Sequence, residues 1–107
     1  MRWKKLPLHN GVTYWRASAP CANGTLEFWI GCWGHVTDLW CEQIRGWRLV
    51  RDPTEAGARS LKLKAAAWAK ALRNCVLRLG TQDGHKYRDV PGTAFRAAKE
   101  KVEGKSR

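Results

Sequence analysis

Leu61, Ala65, Trp68, Leu72, Cys75 and Leu79 recur at intervals of four, three, four, three and four residues, which on a helix of 3.6 residues per turn keeps all six in one narrow sector. A chain carrying such a stripe must bury it against a second layer. Around these positions stand Arg59, Lys62, Lys64, Lys70, Arg73 and Arg78, and no acidic residue occurs between Ala56 and Gln82. The spacing predicts one long amphipathic helix from about Ser60 to Leu79, ended by Gly80 as a left-handed C-terminal glycine. A helix that needs only solubility gains from mixed signs and i,i+4 pairs, so an outer face of one sign points to a polyanionic or acidic partner.

The second layer is a sheet. Thr25-Leu26-Glu27-Phe28-Trp29-Ile30 alternates, with Leu26, Phe28 and Ile30 on one face and Glu27 and Trp29 on the other. Gly11 to Ala19 is β-branched and aromatic, Pro20 stops it, and Ala22-Asn23-Gly24 reads as the turn of a hairpin. Gly31 to Asp38 reads as a loop. Leu39 to Ile44 and Trp47 to Arg51 then form one bent strand or two short ones.

Asp52-Pro53-Thr54-Glu55 has the order of a helix start, with Ser60 as a second cap before Leu61. Thr81 to Pro91 is a polar connection, and Thr93 caps a short second helix in which Phe95, Ala98 and Val102 share a face away from Arg96, Lys99 and Lys101. At 107 residues this is one α+β domain over 1–103 with a disordered tail at 104–107. Its expected fold is a three- to four-stranded antiparallel sheet packed on one long amphipathic helix, plus the short C-terminal helix. The Leu61/Trp68/Leu72 stripe covers Leu26, Phe28 and Ile30. The opposite sheet face, with Trp29 and either Trp15 or Trp40, lacks a second layer unless the C-terminal helix or a partner supplies one, and is the place to look for function.

The formal charge of +11 is unevenly placed, with four cations against three anions in residues 1–44 and sixteen against six in residues 45–107. Such a surface favours phosphate backbones, acidic proteins and anionic membranes alike. No apolar run approaches the eighteen or so residues of a membrane span, and Met-Arg-Trp-Lys-Lys-Leu-Pro is too short for a secretory signal. The chain is therefore expected in the cytoplasm, away from membranes, with Cys21, Cys32, Cys41 and Cys75 as reduced thiols.

Six of the seven tryptophans precede Asp52. Aromatic side chains stack bases, and arginine holds phosphates or reads guanine edges, so the tryptophan-bearing sheet face is a candidate nucleic-acid platform. Gly46-Trp47-Arg48-Leu49-Val50-Arg51-Asp52-Pro53, followed by an alanine-rich helix, loosely resembles over residues 46–72 the sheet-then-helix arrangement of AP2-type domains and of integrase arm-binding domains, which insert a three-stranded sheet into the major groove. That resemblance implies that Arg48 and Arg51 face DNA.

Cys32, His35, Cys41 and Cys21 have the chemistry of zinc ligands, but only Cys32 and His35 form a tight pair, and no metal or other cofactor is expected. His35 near Asp38 and His85 near Asp89 are the only acid–base pairings, and His9 stands alone. Without a nucleophile elbow, phosphate loop or paired carboxylates, catalysis is not expected.

The leading expectation is a non-enzymatic nucleic-acid-binding protein that contacts mainly the phosphate backbone through Arg48, Arg51, Arg59, Lys62, Lys64, Lys70, Arg73 and Arg78. The alternative sets these residues, with Trp29 and Trp40, against an acidic surface of a protein complex. A small phage or mobile-element inhibitor of the anti-defence or anti-CRISPR kind is the class analogy. A basic chain does not work as an acidic DNA mimic.

Overall fold

Alternating residues in the first half of the chain build a sheet with one apolar face. The computed structural model describes residues 1–7, 10–33, 36–45, 48–52 and 57–104. Strands β1 (Lys4–Lys5), β2 (Thr13–Cys21), β3 (Gly24–Trp33), β4 (Val36–Cys41) and β5 (Arg48–Asp52) form one antiparallel sheet in chain order, with β3 at its centre. Register places Ala19 opposite Leu26, Ala17 opposite Phe28, Ile30 opposite Leu39 and Phe28 opposite Cys41. All of these are buried, and they make one continuous face. A bulge between Leu39 and Trp40 shifts the β4–β5 pairing.

Helix α1 (Gly57–Ala71) lies on that face, where Leu61, Ala65 and Trp68 join Leu26, Phe28, Ile30 and Leu39 in one core. Helix α2 (Gly92–Glu103) packs on α1 and not on the outer sheet face. Its Phe95 ring stacks on Trp68, with centroids 5.7 Å apart and planes 12° from parallel, beside buried Ala98. Among the described residues, no helix is long and apolar enough to cross a membrane.

The sequence-based fold is corrected in several places. The sheet has five strands rather than three or four, a separate two-stranded ribbon follows, and no single long helix dominates, since α1 has 15 residues and α2 has 12. The segment read as a loop from Gly31 to Asp38 belongs mostly to the sheet, because β3 runs to Trp33 and β4 begins at Val36. Pro20 lies within β2 instead of ending it. The cap signal at 53–55 lies outside the described residues, and Ser60 sits inside α1. Pro91, not Thr93, occupies the N-cap of α2, and Gly104 closes that helix at φ 68° with its N–H bonded to the Glu100 carbonyl. Residues 105–107 lie outside the described residues.

The largest correction is the end of α1 at Ala71, eight residues before the expected stop. Its cause is the β2–β3 turn, which claims the chain that follows. The Asn23 side chain accepts the Leu77 N–H at 2.8 Å and donates to the Leu77 carbonyl at 3.1 Å, while the Ala22 N–H bonds the Cys75 carbonyl at 3.0 Å. An amide side chain that pairs both backbone groups of Leu77 acts as a strand partner, and those groups are lost to a helix. Leu77 thereby enters the core at 3% exposure and Leu79 is left outside at 68%.

From there the chain forms β6 (Arg78–Gln82) and β7 (His85–Asp89), joined by Asp83 and Gly84 at φ 51° and 77°. Two successive positive φ values are what a two-residue hairpin turn requires, and Asp-Gly supplies them. Gly80 is thus no helix cap. The Tyr87 ring lies across it, and a Cβ there would come within 2.4 Å of the ring. Val90 N–H bonding the Gln43 carbonyl at 2.7 Å and Arg88 Nη1 bonding the Asn23 carbonyl at 2.6 Å hold the ribbon across one end of the main sheet.

Trp68 is the seam of both helices and the sheet, at 1% exposure. Trp68→Ala should cost about 3–5 kcal/mol in denaturant unfolding. Because the buried Nε1 has no hydrogen-bond partner among the described residues, Trp68→Phe should cost clearly less; an unchanged transition in Trp68→Ala would place the seam elsewhere.

Candidate functional site

The side chains excluded from the core meet on the other face of the sheet. Cross-strand pairing sets Arg16, Trp29, Trp40 and Arg48 in one row across four strands, and Tyr14, Gly31, Asp38 and Arg51 in the next. Directly paired residues on one face lie about 5 Å apart, close enough for their side chains to touch. Gly31 is the floor of this arrangement: a Cβ there would meet Trp33 at 2.7 Å, Trp40 at 3.0 Å and Tyr14 at 3.2 Å.

Over that floor Trp33 and Trp40 stack with centroids 5.5 Å apart and planes 1° from parallel, and Tyr14 meets Trp29 edge to face at 6.3 Å. Trp29 donates its Nε1–H to Glu42 at 2.9 Å and carries the Arg16 guanidinium 5.1 Å from its ring centre. Arg16 in turn bonds Glu27, which also accepts the Ser18 hydroxyl at 2.7 Å. The result is an open groove of about 810 Å³ lined by these rings and by Arg45, Arg48 and Arg51. Among the described residues, no helix covers it.

Asp38 sets the electrostatics of the groove. Its carboxylate is 1% exposed and accepts two parallel bonds from Arg51, Nε to Oδ1 and Nη2 to Oδ2, each 2.9 Å, with Arg48 Nη1 3.8 Å from Oδ2. A buried carboxylate without such a partner is strongly unfavourable, so the arginines are committed to this position. The same bonds raise the Arg51 guanidinium above its usual range. Among the described residues, Arg51 Nη1 and the Arg48 guanidinium donors make no hydrogen bond and stand on the groove side.

No protein-family model, curated protein or solved structure matches this chain. The site is therefore read from its own geometry.

Of the residues singled out from sequence, Trp29, Trp40, Arg48 and Arg51 are brought together in this groove. The others are not. Arg59, Lys62, Lys64 and Lys70 belong to α1 across the sheet, Arg73 to the turn after it, and Arg78 to β6, where it sits 3.7 Å from Asp89. Trp15, a candidate for the outer face, pairs with Ile30 and lies on the helix side, with Lys62 and Lys5 at 5.5 and 5.7 Å from its ring. The strand bearing Arg48 and Arg51 is the edge of a five-stranded sheet, not part of a three-stranded one.

Sequence reasoning missed Tyr14, Trp33, Asp38 and Arg45 as groove residues. Trp33 had a signal, standing four residues beyond Trp29 in an alternating run; treating Gly31 as the start of a loop concealed it.

The cysteines weighed as zinc ligands lie apart. Cys21 pairs with Gly24 at one end of β3 and Cys32 stands near the other end, a separation of roughly 27 Å at strand rise. Cys32 is 3.3 Å from the Thr37 hydroxyl, while Cys41 is in the core opposite Phe28. His35 lies outside the described residues, as does His9. His85 and Asp89 occupy opposite ends of β7.

Burial pushes the Cys41 thiol up to about 12 and raises the Cys75 thiol as well, with nearby Cys21 adding to the second shift. Neither is a nucleophile near neutral pH. The folded state keeps the Cys41 proton that an unfolded chain releases above its ordinary value of 9.0. The unfolded state then binds fewer protons, so this contribution to stability is complete below pH 9 and falls as pH rises toward 12. Denaturant unfolding across that range should show a shallower alkaline decline in Cys41→Ala than in the unaltered protein; parallel curves would contradict the burial of this thiol.

Proposed function

We propose that this protein is a non-enzymatic binder of unpaired nucleic acid, acting in the cytoplasm, with bases stacked on the Tyr14, Trp29, Trp33 and Trp40 face and phosphates held by Arg48 and Arg51. The observation that carries this reading is the row Arg16, Trp29, Trp40, Arg48, in which two half-buried indoles lie side by side between two guanidinium groups on a sheet face that no helix covers among the described residues. Ring faces grip the π-face of a base whatever its identity, at about 1–3 kcal/mol per base, and guanidinium groups beside them match the adjoining phosphates. A duplex hides those base faces by stacking them on one another, so a flat aromatic surface favours strands, loops and ends.

The cations of α1 support this reading at a distance. Arg59, Lys64, Lys70 and Arg73 are exposed, and a field of one sign draws a polyanion to the molecule and raises the association rate without contacting it.

A second reading, a protein partner with an acidic surface as in phage-encoded inhibitors, draws on the apolar lining of the groove and on tryptophan and arginine as interface anchors. Binding of labelled single strands and duplexes across a salt series separates the two. Nucleic-acid binding should favour single strands, weaken with a log–log salt slope of about −0.7 per phosphate contacted, and lose about 1–3 kcal/mol in Trp33→Ala or Trp40→Ala. Lys70→Glu with Arg73→Glu should slow association and leave the preference for single strands intact. If that double variant abolished binding while the tryptophan variants bound normally, the helix face would be the site; affinity that vanished by physiological salt would leave the protein partner.

A further inference from the structure

We infer that the groove continues onto the β6–β7 ribbon, where Arg45 stacked on Tyr87 forms a second base-stacking subsite, so that the ligand is a strand of several nucleotides and not a mononucleotide. This deepens the nucleic-acid reading and rests on it.

Arg45 belongs to two cavities at once. It lines the aromatic groove of about 810 Å³ and, on its other side, a pocket of about 290 Å³ formed with Gln82, Asp83, His85 and Tyr87. The two spaces are therefore neighbours along one surface. They are also fixed relative to each other, because the Val90 N–H bonds the Gln43 carbonyl two residues before Arg45 and Asn23 holds the segment that leads into β6.

The local geometry presents a flat surface. Tyr87 seats low on its partner strand because its opposite residue is Gly80. The Arg45 guanidinium lies 4.5 Å from the Tyr87 ring centre and donates from Nη2 to Gln82 Oε1 at 3.3 Å. The guanidinium is thus held over the ring and tethered at one edge, and Arg45 is exposed. Bases stack on arginine planes as they do on aromatic rings.

Charge distinguishes the two parts of the surface. The lining of the main groove carries Arg45, Arg48 and Arg51 against Asp38 and Glu42, an excess of positive charge that suits phosphate. In the second pocket Asp83 offsets Arg45, and Gln82 and His85 add hydrogen-bonding groups suited to a base edge. A strand that crosses from one to the other sets bases at both ends and phosphates between.

The experiment is a length series of single-stranded oligothymidylates, from a dinucleotide to about eight nucleotides, titrated against the unaltered protein, Arg45→Ala and Arg45→Lys with tryptophan emission as the readout. Affinity should rise with length in the unaltered protein. Both variants should lose about tenfold or more for the longest strand and a smaller factor for the dinucleotide, with Arg45→Lys no better than Arg45→Ala on the longest strand because lysine keeps the charge and lacks the plane. A plateau already reached at the dinucleotide, or Arg45→Lys binding the longest strand like the unaltered protein, overturns the second subsite and leaves the aromatic groove standing. Absence of binding or quenching at every length overturns the nucleic-acid reading together with it.

Discussion

Because successive side chains of a strand point to opposite faces, Leu26, Phe28 and Ile30 can lie under α1 only if Glu27, Trp29, Gly31 and Trp33 are turned outward. A slip of one residue would bury Glu27 and expose Phe28, so packing against Trp68 and Leu39 pins the register of the central strand. The groove is the other side of that same constraint. Large rings that could have served as core are held out of it, and they recover contact by stacking on one another and under arginine. Gly31 permits this, since any side chain there would occupy the space where three rings converge.

Asp38 gives the outer face its second property. A carboxylate held at 1% exposure between two arginines keeps both guanidinium groups near the rings and offsets part of their mutual repulsion. Arginines already ordered lose less freedom when a ligand arrives, so more of each contact remains as affinity. The charge of the second half of the chain is thereby divided into two roles. Arg48 and Arg51 stand at the groove, whereas the cations of α1 lie across the sheet from it and, in the proposed function, act only through the field.

Where burial imposes a period, the sequence was legible. The alternation of Leu26, Phe28 and Ile30, the spacing from Leu61 to Leu72, and the Phe95, Ala98 and Val102 face of α2 all follow from one side of an element being covered. The same alternation turns Trp29 outward, but strict alternation sets Arg48 and Arg51 on opposite faces, and they share the groove because the β4–β5 register shifts between Leu39 and Trp40. The stripe failed beyond Leu72, where Cys75 and Leu79 continue the helical spacing but Asn23, more than fifty residues earlier, captures Leu77. Gly31 and Gly80 misled for a shared reason: both glycines make room for rings contributed from elsewhere, Tyr14 and Trp40 at the first and Tyr87 at the second, and a lone glycine reads as punctuation. The Asp83-Gly84 turn carried its own signal, outweighed by the polar residues around it. The Asp38–Arg51 and Arg45–Tyr87 contacts join separate elements, and local pattern does not encode such pairings.

The central claim is that the outer sheet face, and not the basic helix, meets unpaired nucleic acid. The seven tryptophans make it directly observable, because each carries one indole N–H whose NMR resonance reports its surroundings. In a titration with a single-stranded oligonucleotide, the signals of Trp29, Trp33 and Trp40 should shift progressively while those of Trp68 and Trp15, on the helix side of the sheet, stay in place. Shifts confined to the α1 amides, with the three outer indoles unmoved at saturation, would contradict it.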